Sequence, residues 1–251
     1  MRKTLAALPV IFGCVLPLPA AASFVDYRFG ENYVVIGADS RMIDGTTMGR
    51  ISDRDCKITI LDDAHFFNGE GVRGFIDHPI GMAELARQVF DLHRNGSSAD
   101  LLREWMVLAG KHIKDAYSKH QEDIPAIQAH GFLPLTKGFF GEVRPSGSGW
   151  SAGVISMNPD HAWDQDTALN IKRRTFTSQS DDAQLAASFF DTGPIVATES
   201  IDANAATMQR LVQFVIDNSP HSYTGGEPEV VVLEYGKPVH WYAGGDICGG
   251  K

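Results

Sequence analysis

The chain has 251 residues, 43% hydrophobic and 21% charged, with 25 Gly and 12 Pro, a composition that excludes disordered, collagen-like and coiled-coil classes. Its 31 acidic residues outnumber 22 basic ones for a formal charge of −9, and no basic cluster stands out, which argues against nucleic acid as a partner. Three cysteines, at 14, 56 and 248, have neither the number nor the spacing of a zinc site or a disulfide scaffold, so the fold must rest on an apolar core.

The first segment reads as a secretory signal. Arg2 and Lys3 precede an apolar stretch over 5–18, broken by Pro9 and Pro17 and followed by Ala20-Ala21-Ala22. Those 14 residues fall short of the roughly 20 that a membrane-spanning helix needs, so no membrane span is expected. Only a cut after Ala22 puts Ala at both the last and third-last positions, which predicts a signal peptide over 1–22, a single domain over 23–251 beginning at Ser23, and a periplasmic or secreted location. The competing cleavage box Ile11-Phe12-Gly13-Cys14, that of a lipoprotein, fits less well because of Phe12 and the short apolar run before Cys14. In an oxidising compartment Cys56 and Cys248 are available to form a disulfide, but sequence alone does not pair them.

Along the mature chain, Val34 to Ala38 is a buried strand ending at Asp39-Ser40-Arg41, Lys57 to Leu61 alternates before an Asp62-Asp63 turn, and His65 to Asn68 runs into Gly69, Gly71 and Gly74. Two helices follow, marked by apolar stripes over Met82 to His93 and Leu102 to Ala116, with Ser97 and Asp100 as a capping pair for the second and Asn95-Gly96 as a stop for the first. Strands are expected at Gly138 to Val143, Ser151 to Met157 and Ala168 to Phe176, helices at Asp181 to Phe190 and Asp202 to Asn218, and a closing hairpin at Val230 to Leu233 and Val239 to Tyr242. Segregated groups of strands and helices predict an α+β domain with antiparallel sheets.

Four stretches carry a resemblance. Val34 to Arg41 (VVIGADSR), Lys57-Ile58 with Leu61-Asp62, Asn68-Gly69-Glu70-Gly71, and Thr224-Gly225-Gly226 followed by Glu229 to Leu233 (EVVVL) resemble proteasome β-subunits and their bacterial relatives, which are N-terminal nucleophile (Ntn) hydrolases. The resemblance implies a four-layer αββα sandwich of two antiparallel sheets flanked by helices. It also implies a nucleophile at the first mature residue, with that residue's own α-amino group as base. Asp39 and Arg41 lie 16 and 18 residues after Ser23, the family's spacing, so cleavage and spacing point independently at Ser23.

A hydroxyl is a poor nucleophile until its proton is taken, and an α-amine of ordinary pKa about 7.7–8.0 is poised to take it. The resemblance assigns Lys57 the task of keeping that amine neutral, Asp39 that of holding the lysine, and Arg41 that of bracing the carboxylate. Either Gly69 or Gly71 matches the glycine whose backbone N–H receives the oxyanion. Near the end of the chain Thr224 stands for the family's Ser, and His221 falls where an Asp is usual. Ser178 is kept in Thr177-Ser178-Gln179 without the flanking glycines. These auxiliary changes leave open an inactive fold serving as a binding or assembly module.

Gly149-Trp150-Ser151-Ala152-Gly153 matches the G-x-S-x-G pattern of conventional serine hydrolases, but the polar loop before it and the strand after it are the wrong context for a nucleophile elbow. Nine His, including His112 and His120, show no metal-ligand spacing, so neither a metal nor an organic cofactor is expected. The implied substrate is a peptide or small amide. A homo-oligomer built through the first helix pair is compatible with the stripes, as is burial within one subunit. Export implies no ATPase partner.

Overall fold

A computed structural model describes residues 24–43, 49–71, 74–75, 78–79, 81–129, 135–145, 148–157, 163–172, 177–178, 182–191, 200–221 and 223–248. The elements, in chain order, are strands β1 (Val25–Phe29), β2 (Tyr33–Ala38), β3 (Met42–Ile43), β4 (Arg50–Ser52), β5 (Ile58–Ile60), β6 (His65–Gly71), β7 (Gly74–Phe75) and β8 (His78–Pro79), then helices α1 (Met82–Leu92), α2 (Ser98–Lys119) and α3 (Ile124–Ala129). Strands β9 (Leu135–Glu142), β10 (Gly149–Met157), β11 (Trp163–Lys172) and β12 (Thr177–Ser178) follow, then α4 (Ala183–Asp191), α5 (Ile201–Asn218), β13 (Glu229–Glu234) and β14 (His240–Ala243).

The fold is α+β, with two five-stranded antiparallel sheets ordered β12-β1-β2-β13-β14 and β11-β10-β9-β6-β5. β2 reads as a continuous apolar run because it is central in its sheet and covered on both sides. One apolar cluster joins the sheets: Val25, Tyr27, Phe29 and Ile36 from the first meet Ile58, Phe66, Phe139 and Trp150 from the second. The Tyr27 and Phe139 rings stack with centroids 4.2 Å apart. A second cluster packs α1 and α2 on Phe67, Phe140 and Ile155, and a third packs α4 and α5 on Val35, Val230 and Val232.

Small residues allow the helices to sit close. A Cβ at Gly138 would lie 2.3 Å from the Trp105 ring, and one at Gly37 would lie 2.5 Å from Met208, so α2 and α5 rest directly on the strands. At the start of α2, Ser97 and Asp100 form the expected reciprocal capping box. The stripes of α1 and α2 are consumed inside the subunit, from Met82 to Phe90 and from Leu101 to Tyr117.

Several elements differ from expectation. β1 is an unexpected strand, in which Asp26 and Arg28 interrupt the apolar pattern yet are themselves buried. β11 runs over 163–172 rather than 168–176, with Asp164 to Thr167 exposed on a sheet edge, and α2 is longer at both ends than its stripe. No helix among the described residues is long and apolar enough to cross a membrane.

Candidate functional site

The ends of β1 and β2 meet at Asp39, immediately after β2. Phe24 and Asp39 exchange bonds: the Asp39 N–H donates to the Phe24 carbonyl at 3.1 Å, and the Phe24 N–H donates to Asp39 Oδ1 at 2.8 Å. The same Oδ1 accepts from Lys57 Nζ at 2.8 Å, with both side chains essentially buried. Oδ2 accepts the backbone N–H of Gly225 at 2.9 Å and that of Arg41 at 3.3 Å. Three backbone donors and one ammonium thus converge on a single carboxylate, so its negative charge is compensated where water is excluded.

Lys57 is fixed along its backbone as well. Its N–H donates to Glu229 Oε2 at 3.1 Å and its carbonyl accepts from Asn68 Nδ2 at 2.7 Å, which ties the entry of β5 to β13 and β6. Glu229 is fully buried, and its carboxyl is pushed up to about 8, chiefly by burial and against the pull of the Lys57 N–H and ammonium. Glu229 Oε1 has no hydrogen-bond partner among the described residues.

Arg41 reaches Asp39 through its backbone. Its guanidinium is engaged by Asp53 Oδ1 at 2.7 Å and by the Thr224 carbonyl at 3.3 Å, and the bond it gives Asp39 comes from its backbone N–H. Partly exposed Asp53 accepts the guanidinium, whereas both Asp39 oxygens are already taken by three backbone N–H groups and the Lys57 ammonium. Asp53, held by Arg41 and Arg50, has its pKa lowered by those partners.

The loop before β13 closes the other side. Gly226 has φ 82°, and a Cβ there would lie 2.6 Å from both the Asp53 carbonyl and Ser40 Oγ, so glycine is required for this approach. Thr224 is buried and donates its hydroxyl to Asp182 Oδ2 at 2.7 Å; Ser219 Oγ also donates to Asp182, and His221 Nε2 lies 3.9 Å from it. His221 itself is partly exposed and stacks on Tyr223. The acid that faces Thr224 therefore comes from Asp182, at the start of α4, rather than from position 221. Sequence reasoning missed Asp182 and Glu229; the signal for Glu229 was a charge heading the apolar run Val230 to Leu233, and Asp182 had none beyond its place before a helix.

A cleft of about 410 Å³ opens beside these groups, lined among others by Asp55, Lys57, Gly69, Met82, Glu84 and Ile247. Gly69 lies on this cleft within β6, whereas Gly71 ends the strand with φ 88°. Cys56 and Cys248 form a disulfide across 192 residues of sequence, and both line the cleft. Ser178 sits in β12 opposite Asp26, its side chain outside the described residues, as is Ser23. Among the described residues two groups bring metal-ligating types together: Cys56, Glu229 and Cys248, and at the end of α2 His120, Glu122 and Asp123.

Ser151 of the G-x-S-x-G match lies inside β10, fully buried, paired to β9 through Phe140 and bonded to Ser98 Oγ at 3.1 Å. A strand interior offers no elbow on which to expose a nucleophile.

No family model and no curated protein matches the chain.

Proposed function

We propose that the chain is an exported Ntn hydrolase of the proteasome β-subunit type, cleaving amide or peptide bonds with the Ser23 hydroxyl after residues 1–22 are removed. The corresponding fold is a four-layer αββα sandwich, a reading supported by two antiparallel sheets that share a core and by helices packed on each of them.

The observation that carries the proposal is the double use of Asp39, which binds the Phe24 N–H and the Lys57 ammonium through one oxygen. Residue 23 is joined to Phe24 by one peptide bond, and bond geometry keeps its α-carbon about 2.4 Å from the Phe24 nitrogen. A hydroxyl and a free amine on residue 23 then belong beside the buried Lys57–Asp39 pair. In this reading the amine takes the hydroxyl proton as Ser23 Oγ attacks the substrate carbonyl. The tetrahedral intermediate collapses to an acyl ester as the amine protonates the leaving group, and water, activated by the same amine, releases the acid. The Lys57 charge disfavours protonation of the amine, and Asp39 orients the lysine. Of the two glycines, Gly69 is better placed to receive the oxyanion, because it borders the cleft. Asp182, Thr224, Ser219 and His221 brace the loop that gives Asp39 the Gly225 N–H.

The substrate is a peptide or small amide that reaches the site without an ATPase. The second reading, an inactive binding or assembly module, is favoured by His221 and by Ser178 without its glycines; the buried acid that Asp182 presents to Thr224 weighs against it. Hydrolysis of an amide library by the processed chain separates the two. Ser23→Ala is expected to abolish turnover with the fold intact and Ser23→Thr to retain it. An unprocessed chain, with Ala22 substituted to block cleavage, is expected to be inactive. Undiminished hydrolysis by Ser23→Ala would overturn the proposal.

A further inference from the structure

The disulfide on the cleft wall has a third partner. The ligating atoms of Cys56, Cys248 and Glu229 lie within 4.8 Å of one another. Glu229 is fully buried, yet Oε1 is without a partner among the described residues, while Oε2 is occupied by the Lys57 N–H. Glu229 thus brings to the two sulfurs a buried carboxyl with one unsatisfied oxygen, a costly arrangement unless something else binds it. The two cysteines are only partly buried and line a cleft open to solvent, so a reductant and an ion have a route in.

We propose that reduction of the Cys56–Cys248 disulfide creates a binding site for one borderline divalent metal ion of the zinc type, held by the two thiolates and Glu229. The site does not depend on the hydrolase reading. A dithiol supplies two electrons and two protons and leaves as its own disulfide, whereas a phosphine supplies two electrons and becomes the phosphine oxide, with water giving the oxide's oxygen and both thiol protons; either way the S–S bond breaks to give two thiols. The ion then displaces the thiol protons, together with the proton on Glu229 where that carboxyl is protonated, and these are released to solvent. Two sulfurs and one carboxylate oxygen suit zinc or cobalt and not magnesium or calcium, and water from the cleft that both cysteines line can complete a four-coordinate shell.

The sulfurs stay together without the covalent bond. β14 remains paired to β13 as far as Ala243, the turn after it is closed by bonds from Ile247 and Cys248 N–H to the Gly244 carbonyl, and Arg54 ties the turn to β13's approach through Asp246 and Glu227. A metal at this place lies next to Lys57, whose N–H is already bonded to Glu229, so loading the site alters the charge around the Lys57–Asp39 pair.

The test uses the full chain carrying Cys14→Ser, reduced with a phosphine, freed of reductant and titrated with Co(II) under argon. The expected result is one Co(II) per chain, with a near-ultraviolet sulfur-to-cobalt charge-transfer band and visible bands of tetrahedral cobalt, both absent from the oxidised chain. Glu229→Gln, which preserves an acceptor for the Lys57 N–H, is expected to weaken binding at least about 10-fold, and Cys248→Ser to remove the charge-transfer band of the two-thiolate site. Near-ultraviolet circular dichroism of each sample reports the fold. A folded, reduced chain without the band would overturn the proposal, as would an undiminished affinity in Glu229→Gln. So would a reduced chain that unfolds and is not refolded by one equivalent of Co(II).

Discussion

Replacing Asp39 by Asn probes the centre of the structure, because the two carboxylate oxygens serve different donors. Oδ1 accepts from Phe24 N and Lys57 Nζ, and Oδ2 from Gly225 N and Arg41 N. Whichever way an Asn amide turns, its NH₂ faces two donors, and Lys57 is left as a buried cation without its carboxylate. Removing one member of a buried pair costs about 3–5 kcal/mol, and in a domain of this size each kcal/mol moves Tm by about 2–4 °C, so the midpoint should fall by roughly 6–20 °C. Lys57→Met should cost less, since the Met stem fills the lysine's methylene path and Asp39 keeps its three backbone donors. Combining the two should recover at least about 1 kcal/mol relative to the sum of the single changes. Urea unfolding followed by tryptophan fluorescence gives all three values. Asp39→Asn costing under about 1 kcal/mol, or a strictly additive double variant, would refute the reasoning.

The Glu229 carboxyl titrates near 8 in the folded chain against 4.5 when exposed, so the folded state binds the extra proton and stability should fall as pH rises from about 4.5 through 8. Buried Asp26, raised for the same reason, adds the same sign, and Glu229→Gln isolates the Glu229 share: its stability relative to the parent should improve between pH 5 and pH 8.5 in parallel urea titrations. Cys248→Ser opens a loop spanning 192 residues of sequence, for which chain entropy gives about 5 kcal/mol and common experience about 2–5, so its urea midpoint should drop by that measure. Gly138→Ala forces a Cβ to 2.3 Å from Trp105 and should cost about 1–3 kcal/mol of overpacking, read by thermal unfolding; an unshifted Tm would mean that α2 can lift from β9 without loss.

Much of the fold was legible because burial was periodic. β2 and the Val230 to Leu233 run of β13 are apolar since each strand is flanked by strands on both sides, and the stripes of α1 and α2 mark the faces that meet Phe67, Phe140 and Ile155. β1 was not legible as a strand: Val25, Tyr27 and Phe29 do alternate, but Asp26 and Arg28 between them resemble surface residues and are buried, with Arg28 reaching Asn204 of α5 at 2.5 Å. For the site, spacing and resemblance singled out Asp39 and Lys57, which the fold brings into contact. The Arg41–Asp53 contact was not legible, because Asp53 and Asp55 are equivalent carboxylates in one polar stretch. Asp182, Glu229 and the Cys56–Cys248 pairing belong to contacts across 42, 172 and 192 residues, which no local pattern encodes.

The central claim is that one residue supplies both nucleophile and base. Its most direct test is mass spectrometry of the exported chain after treatment with a set of small peptidyl epoxyketones, electrophiles that close a ring only when a hydroxyl and a free amine sit on the same residue. The expected product is a chain that begins at Ser23 and carries the ring adduct on that residue, lost in Lys57→Met. A chain that begins elsewhere, or one that begins at Ser23 and hydrolyses amides while the adduct forms on another residue, would contradict it.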